Sequence, residues 1–148
     1  MTPLPDALAL VGGPHLASLT DVVRLSLHVL AACVWVGGQF VVAGLLPTLR
    51  GLGEGVPQKV ARVFGRLSWP AYWVLIATGI WNYSALDHAH AHNSWDAAFG
   101  VKMLAVIVAG LGAFLHTRVT TPTARGVYAG VGTLGSVVAL VLGVALAG

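Results

Sequence analysis

The chain has 148 residues, of which 57% are hydrophobic and 9% are charged, with a formal net charge of +3 at pH 7. Soluble domains carry roughly 25% charged residues, so this composition, with a mean hydropathy of +0.83, excludes an ordinary soluble domain and indicates a membrane protein. The basic balance does not indicate nucleic-acid binding, because the positive charges flank apolar segments, where they report membrane topology.

Four apolar stretches are separated by the few charges, and each is close to the ~20 residues that cross ~30 Å of hydrocarbon. We predict membrane spans at 25–49, 67–86, 97–115 and 127–146. Lipid leaves an open sheet edge without partners, and no stretch alternates polar and apolar residues as barrel strands do. The sequence therefore predicts an all-α integral membrane four-helix bundle that forms a single domain over residues 1–148.

The N-terminal segment, residues 1–20, lacks lysine and arginine, and prolines and a Gly-Gly pair interrupt its apolar residues. We expect an external arm rather than a secretory signal. Ser18, followed three residues later by Asp21, predicts a helix N-cap. The loops after the first and third spans hold the basic residues Arg50, Lys59, Arg62, Arg66, Arg118 and Arg125. The positive-inside rule then places both termini, and the loop between spans two and three, on the non-cytoplasmic side of the plasma membrane.

The first span carries polar residues along one face. Helical spacing brings Arg24, His28, Trp35 and Gln39 into one stripe, which we predict to contact a cofactor. Ionisable groups inside a membrane are costly and indicate function. A neutral imidazole at His28 can ligate iron or copper, and Arg24, one turn away, can hold a haem propionate. Alternatively, His28 hydrogen-bonds another helix and Arg24 extends to the lipid headgroups.

The third span has Lys102 near the end that lies on the same membrane side as Arg24 and His28. Lys102 is either a charge partner for an anion, such as a propionate or a quinone oxygen, or a residue that extends to the headgroups. His116 lies about 21 Å of helix rise away from Lys102. His116 is therefore not the second axial ligand of a haem that His28 holds.

The loop SALDHAHAHNSWD places His88, His90 and His92 at alternate positions. In an extended strand these three side chains lie about 7 Å apart along one edge, and imidazole is a ligand for Cu(II) and Zn(II). The loop is either an external metal-capture segment or a solvated turn. Topology places it above the polar stripe, where it can act as a lid that completes or feeds a site centred on His28.

The first span, LHVLAACVWVGGQF, resembles the first membrane helix of the copper-resistance protein D (CopD) family, and FGRLSW, TGIWN and FGVKML extend the resemblance over the four spans. His28 followed by Trp35, with Lys102 opening a later span, is also similar to the HemJ-type protoporphyrinogen oxidases, which are four-helix haem b proteins. The HemJ-type resemblance implies a haem scaffold in which His28 is a haem ligand and Lys102 is a functional residue.

The favoured hypothesis is a CopD-like multi-pass membrane protein with a haem b, or a metal, in the non-cytoplasmic half of the bundle, working in membrane electron transfer. If it is an enzyme, we expect a haem-dependent membrane oxidoreductase. The second axial ligand then comes from the loop histidines, from His15 or from a second protomer of a homo-oligomer, and the redox partner is a quinone or a membrane protein. The alternatives are copper handling, by external capture or transport, and a non-catalytic subunit of a larger complex.

Overall fold

The structure, a computed structural model, describes residues 16–86 and 93–147. Within them the prediction of an all-α membrane bundle is confirmed, since every regular element is helical. A π-helical turn, Cys33–Gly37, joins the first two α-helices into one continuous helix, Leu19–Gly51. The α-helices are α1 (Leu19–Ala32), α2 (Gly38–Gly51), α3 (Val56–Ser84), α4 (Asn93–Arg118) and α5 (Pro122–Leu146).

Three helices of the described residues are long and apolar enough to cross a membrane: Leu19–Gly51, Asn93–Arg118 and Pro122–Leu146. They contain the first, third and fourth predicted spans. The second predicted span falls mainly in α3, which is long but less apolar because polar and aromatic side chains are frequent in it. Several of these face other helices, since Ser68, Tyr72 and Thr78 are buried. That α3 also crosses the membrane stays a prediction.

The helix starts follow local sequence signals. The Ser18 hydroxyl accepts a hydrogen bond from the Asp21 backbone N–H at 3.2 Å and donates one to the Asp21 carboxylate at 2.7 Å, which confirms the predicted N-cap. Thr121 caps α5 in the same way. Gly55 precedes α3 with a φ of 80°, which glycine adopts without steric cost, and Pro57 occupies the first turn of α3, where its missing N–H has no helical partner to lose.

Successive long helices run antiparallel, and the closest pairs are α1 with α3 and α4 with α5. We call the end of the bundle where α1 begins and α3 ends the Arg24 end, and the opposite end the Arg50 end. The chain order places all the loop basic residues at the Arg50 end.

The α4–α5 pair is joined by small residues that allow backbone contact. A Cβ atom on Gly112 would lie 2.6 Å from the backbone nitrogen of Gly132, and one on Gly135 would lie 2.9 Å from the carbonyl oxygen of Ala105. Membrane helices associate through such van der Waals packing, because lipid provides no hydrophobic drive between them. The glycines therefore hold the most closely packed pair of the bundle.

Replacing Gly112 with alanine is expected to lower the free energy of unfolding by about 1–3 kcal/mol, since the new methyl group meets backbone that cannot rotate away. Gly100→Ala, in the same helix, is the control. A Cβ there meets nothing within 4 Å, so this change should raise stability by up to about 1 kcal/mol through helix propensity. Unfolding midpoints in detergent measure both, and equal midpoints would contradict the backbone contact.

Candidate functional site

The His28 ring of α1 is held by a hydrogen bond to α3. Its Nδ1 atom lies 2.8 Å from the Thr78 hydroxyl oxygen, which in turn lies 2.6 Å from the Val74 carbonyl oxygen. Because a carbonyl only accepts, the single hydroxyl hydrogen of Thr78 points to Val74, and the Nδ1–H of His28 donates to Thr78. In the neutral imidazole, this assignment of the Nδ1 hydrogen leaves the lone pair on Nε2.

Two further features surround the His28 ring. A Cβ atom on Gly79 would lie 3.8 Å from Cε1 of His28, so the glycine leaves room beside the imidazole. Lys102 of α4 reaches towards α5, where its Nζ atom lies 3.4 Å from where a Cβ on Gly143 would be. No hydrogen bond or ion pair joins Lys102 to another described residue. His28 and Lys102 each lie nine residues into a helix that begins at the Arg24 end, and we call this level of the bundle the His28 level.

Arg24 is largely buried, with 11% of its side chain exposed, and only part of its guanidinium is paired. Its Nη2 atom donates to the Asp21 carboxylate at 2.7 Å. Its Nε and Nη1 atoms are buried and have no hydrogen-bond partner among the described residues, and the same holds for the Oδ1 atom of Asn82 in α3.

The α1–α3 register places Arg24 and Asn82 at one level. Trp35 packs against Trp69, and His28 bonds Thr78, so the two helices run antiparallel. Asn82 lies one turn beyond Thr78, and Arg24 lies one turn beyond His28 in the same direction, about 6 Å along the bundle. We call the pair the Arg24 level.

The middle of the bundle holds a polar network whose members are all bonded. The Ser136 hydroxyl donates to the carbonyl of Gly132 and accepts from Trp35 Nε1, at 3.0 Å, and from Gln39 Nε2, at 3.2 Å. Gln39 also donates to the Trp35 carbonyl at 2.9 Å, and its Oε1 atom accepts from Thr133 at 2.9 Å. These bonds join the first helix to α5.

Aromatic packing joins the same region to α3 and α4. The Trp35 ring centroid lies 4.6 Å from that of Tyr72 and 5.7 Å from that of Trp69. The Tyr72 hydroxyl donates to the Val106 carbonyl of α4 at 2.9 Å. The Trp35 side chain is 5% exposed, so it lies at the centre of the bundle.

The predicted stripe is therefore divided into two polar groups. His28 bonds α3, whereas Trp35 and Gln39 bond α5, and Trp35 itself lies within the π-helical turn. The polar side-chain atoms of Trp35 and Gln39 are bonded within the protein, which favours a structural role for them. Their predicted cofactor contact stays a prediction.

The metal prediction for the loop falls on His88, His90 and His92, which lie outside the described residues. Within the described ranges, no group of three or more histidine, cysteine, aspartate or glutamate side chains is arranged to hold a metal ion. Of the predicted metal ligands, the described part of the chain contains His28.

Sequence reasoning did not single out Thr78 and Asn82. Both are uncharged residues of the second predicted span, so neither is indicated as an ionisable group inside the membrane. They stand four residues apart, as do Arg24 and His28, so a search for matching polar spacings on two antiparallel spans identifies them.

A scan against known protein families, a search of curated proteins and a search of solved structures each found no match for this chain.

Replacing Ser136 with alanine is expected to lower the free energy of unfolding by about 1–3 kcal/mol, because it leaves N–H groups of Trp35 and Gln39 buried without an acceptor. The matched control is Ser84→Ala, since the Ser84 hydroxyl is exposed and bonds only the Trp81 carbonyl of its own helix. Chemical unfolding in detergent compares the two variants. An equal loss of unfolding free energy in both would show that the buried Ser136 network contributes no more to stability than the exposed Ser84 hydroxyl.

Proposed function

We propose that this chain carries a b-type haem at the His28 level, with His28 as an axial ligand, and that it works in membrane electron transfer. The observation that carries the proposal is the bond from His28 Nδ1–H to Thr78. A ligating histidine usually donates its other ring N–H to a neighbouring acceptor, which fixes the ring and the tautomer. The His28 ring has this arrangement with Thr78.

The charges around His28 favour haem over a bare copper ion. Arg24 and Lys102 are both positive, and Asp21 balances only one of them. A lone cation at His28 would meet repulsion from this surplus, whereas the carboxylates of a haem are attracted by it. One imidazole ligand with positive charges nearby therefore suits a haem better than a bare copper ion.

Each residue has a distinct part in holding such a group. His28 supplies the ligand nitrogen, Thr78 orients its ring, Gly79 leaves space beside it, and Lys102 supplies a charge for a carboxylate. When bound, a b-type haem supplies a one-electron carrier. The polar network around Ser136 closes the bundle on the Arg50 side of the site, so that this carrier would be kept at the Arg24 end.

The remaining parts of the proposal rest on sequence. The second axial ligand is a loop histidine, His15 or a residue of a second protomer, and the first two lie outside the described residues. The basic residues at the Arg50 end support a plasma-membrane topology in which the Arg24 end is non-cytoplasmic. The resemblance to the CopD and HemJ-type families supports the same haem assignment.

The detergent-purified protein is expected to show a Soret band that shifts on reduction by dithionite. His28→Ala should abolish this band, because it removes the ligand nitrogen. His116→Ala is the control, since His116 Nδ1 bonds the Arg125 carbonyl at the Arg50 end, and it should keep the band. Stoichiometric copper without a Soret band would instead favour the copper alternative. If the protein shows neither bound copper nor a Soret band after supplementation with haem and copper, the non-catalytic subunit alternative remains.

Thr78→Val should lower haem affinity by about 10–100-fold, because an isosteric side chain without an oxygen releases the His28 ring. Thr78→Ser keeps the acceptor and should retain affinity near that of the native protein. Haem titration of the apoprotein, followed at the Soret band, measures both affinities. A serine variant as weak as the valine variant would show that the methyl group of Thr78, and not its hydroxyl, matters.

A further inference from the structure

The Arg24 level holds buried polar groups that no residue in the described ranges 16–86 and 93–147 satisfies. Nε and Nη1 of Arg24 are buried donors, and Oδ1 of Asn82 is a buried acceptor. The two residues lie at one level of adjacent helices, yet they are not bonded to each other. Leaving such groups unpaired away from water costs free energy that the chain elsewhere avoids.

The chemistry of these groups defines what can bind them. A ligand must accept a hydrogen bond from Arg24 and donate one to Asn82. An ionised carboxylate or a quinone carbonyl only accepts, so either would leave Asn82 unsatisfied. A hydroxyl group does both with one oxygen atom.

The location restricts the ligand further. Around this level α1 and α3 expose apolar side chains outward, with Val23 44% exposed, Ile80 65% and Trp81 42%. The surface at this level is therefore one that a lipid-soluble molecule contacts. The level also lies one helical turn from His28, about 6 Å of rise, which is close enough for electron exchange with a group held there.

We propose that Arg24 and Asn82 bind a hydroxyl group of a lipid-soluble hydroquinone. Arg24 donates through Nε–H and Nη1–H to the hydroxyl oxygen, and the hydroxyl donates to Asn82 Oδ1. The choice of a hydroquinone over other lipid-soluble alcohols rests on the proposed electron-transfer function. The requirement that the ligand both donates and accepts a hydrogen bond rests on the unpaired atoms of Arg24 and Asn82 alone.

The test measures equilibrium binding of three probes to the full-length protein in lipid nanodiscs by calorimetry. The probes are decylubiquinol, its dimethyl ether, which lacks the hydroxyl hydrogens, and decylubiquinone. We expect decylubiquinol to bind about tenfold more tightly than the other two, because only it satisfies Asn82.

Asn82→Leu is expected to weaken decylubiquinol binding about tenfold and to leave binding of the dimethyl ether unchanged. Asn82→Ala provides the same comparison if the leucine variant does not fold. Ser84→Ala, on the same helix with an exposed hydroxyl, is the matched control and should keep the preference. Arg24→Met should weaken the binding of all three probes, since each has an oxygen atom that accepts a hydrogen bond from Arg24.

Haem content, measured on the same preparations, separates this proposal from the proposed function. A hydroquinone preference without haem supports the Arg24–Asn82 site and removes the haem assignment. Haem with equal affinities for all three probes overturns the Arg24–Asn82 site and means that water satisfies these atoms. A preference that survives Asn82→Leu overturns it as well, because the hydroxyl then binds elsewhere.

Discussion

The hydrogen bond between His28 and Thr78 sets the geometry of the polar interior at the Arg24 end. In lipid no water competes for buried donors, so a paired imidazole keeps its orientation. Thr78 gives its hydrogen to its own helix, at Val74, and therefore accepts from the ring. The same contact fixes the register of α1 against α3, which places Arg24 and Asn82 at one level.

The middle of the bundle shows what a completed polar network looks like in this chain. The Ser136 oxygen donates once and accepts twice, and both ends of the Gln39 amide are bonded. Folded proteins pair nearly all buried polar groups, and the exceptions call for an explanation. Since the protein satisfies one such network fully, the unpaired atoms of Arg24 and Asn82 are a local feature, and we attribute them to binding rather than to loose packing.

Much of the fold follows from the sequence, because apolar length and the Ser18 cap indicate where helices lie. The same sequence shows that Arg24, His28, Trp35 and Gln39 share a stripe, but spacing on one helix does not say which neighbour each residue meets. The π-helical turn, which begins at Cys33, lies in a segment without proline and has no clear sequence signal. It contains Trp35, which packs on Trp69 of α3 and also bonds Ser136 of α5. The partners Thr78 and Ser136 therefore required the structure.

Glycine has opposite uses in the two halves of the bundle, and the difference lies in what a Cβ atom would meet. At Gly112 it would meet the backbone of Gly132, so the missing side chain brings α4 and α5 together. At Gly79 it would lie near the His28 ring, and at Gly143 near the Lys102 ammonium, so there the missing side chain leaves room. The distances separate the two uses, because a Cβ at Gly112 would overlap backbone, whereas one at Gly79 or Gly143 would lie in contact with a side chain. Alanine at Gly112 would therefore push α4 and α5 apart, whereas alanine at Gly79 would only fill the gap of one methyl group beside the imidazole.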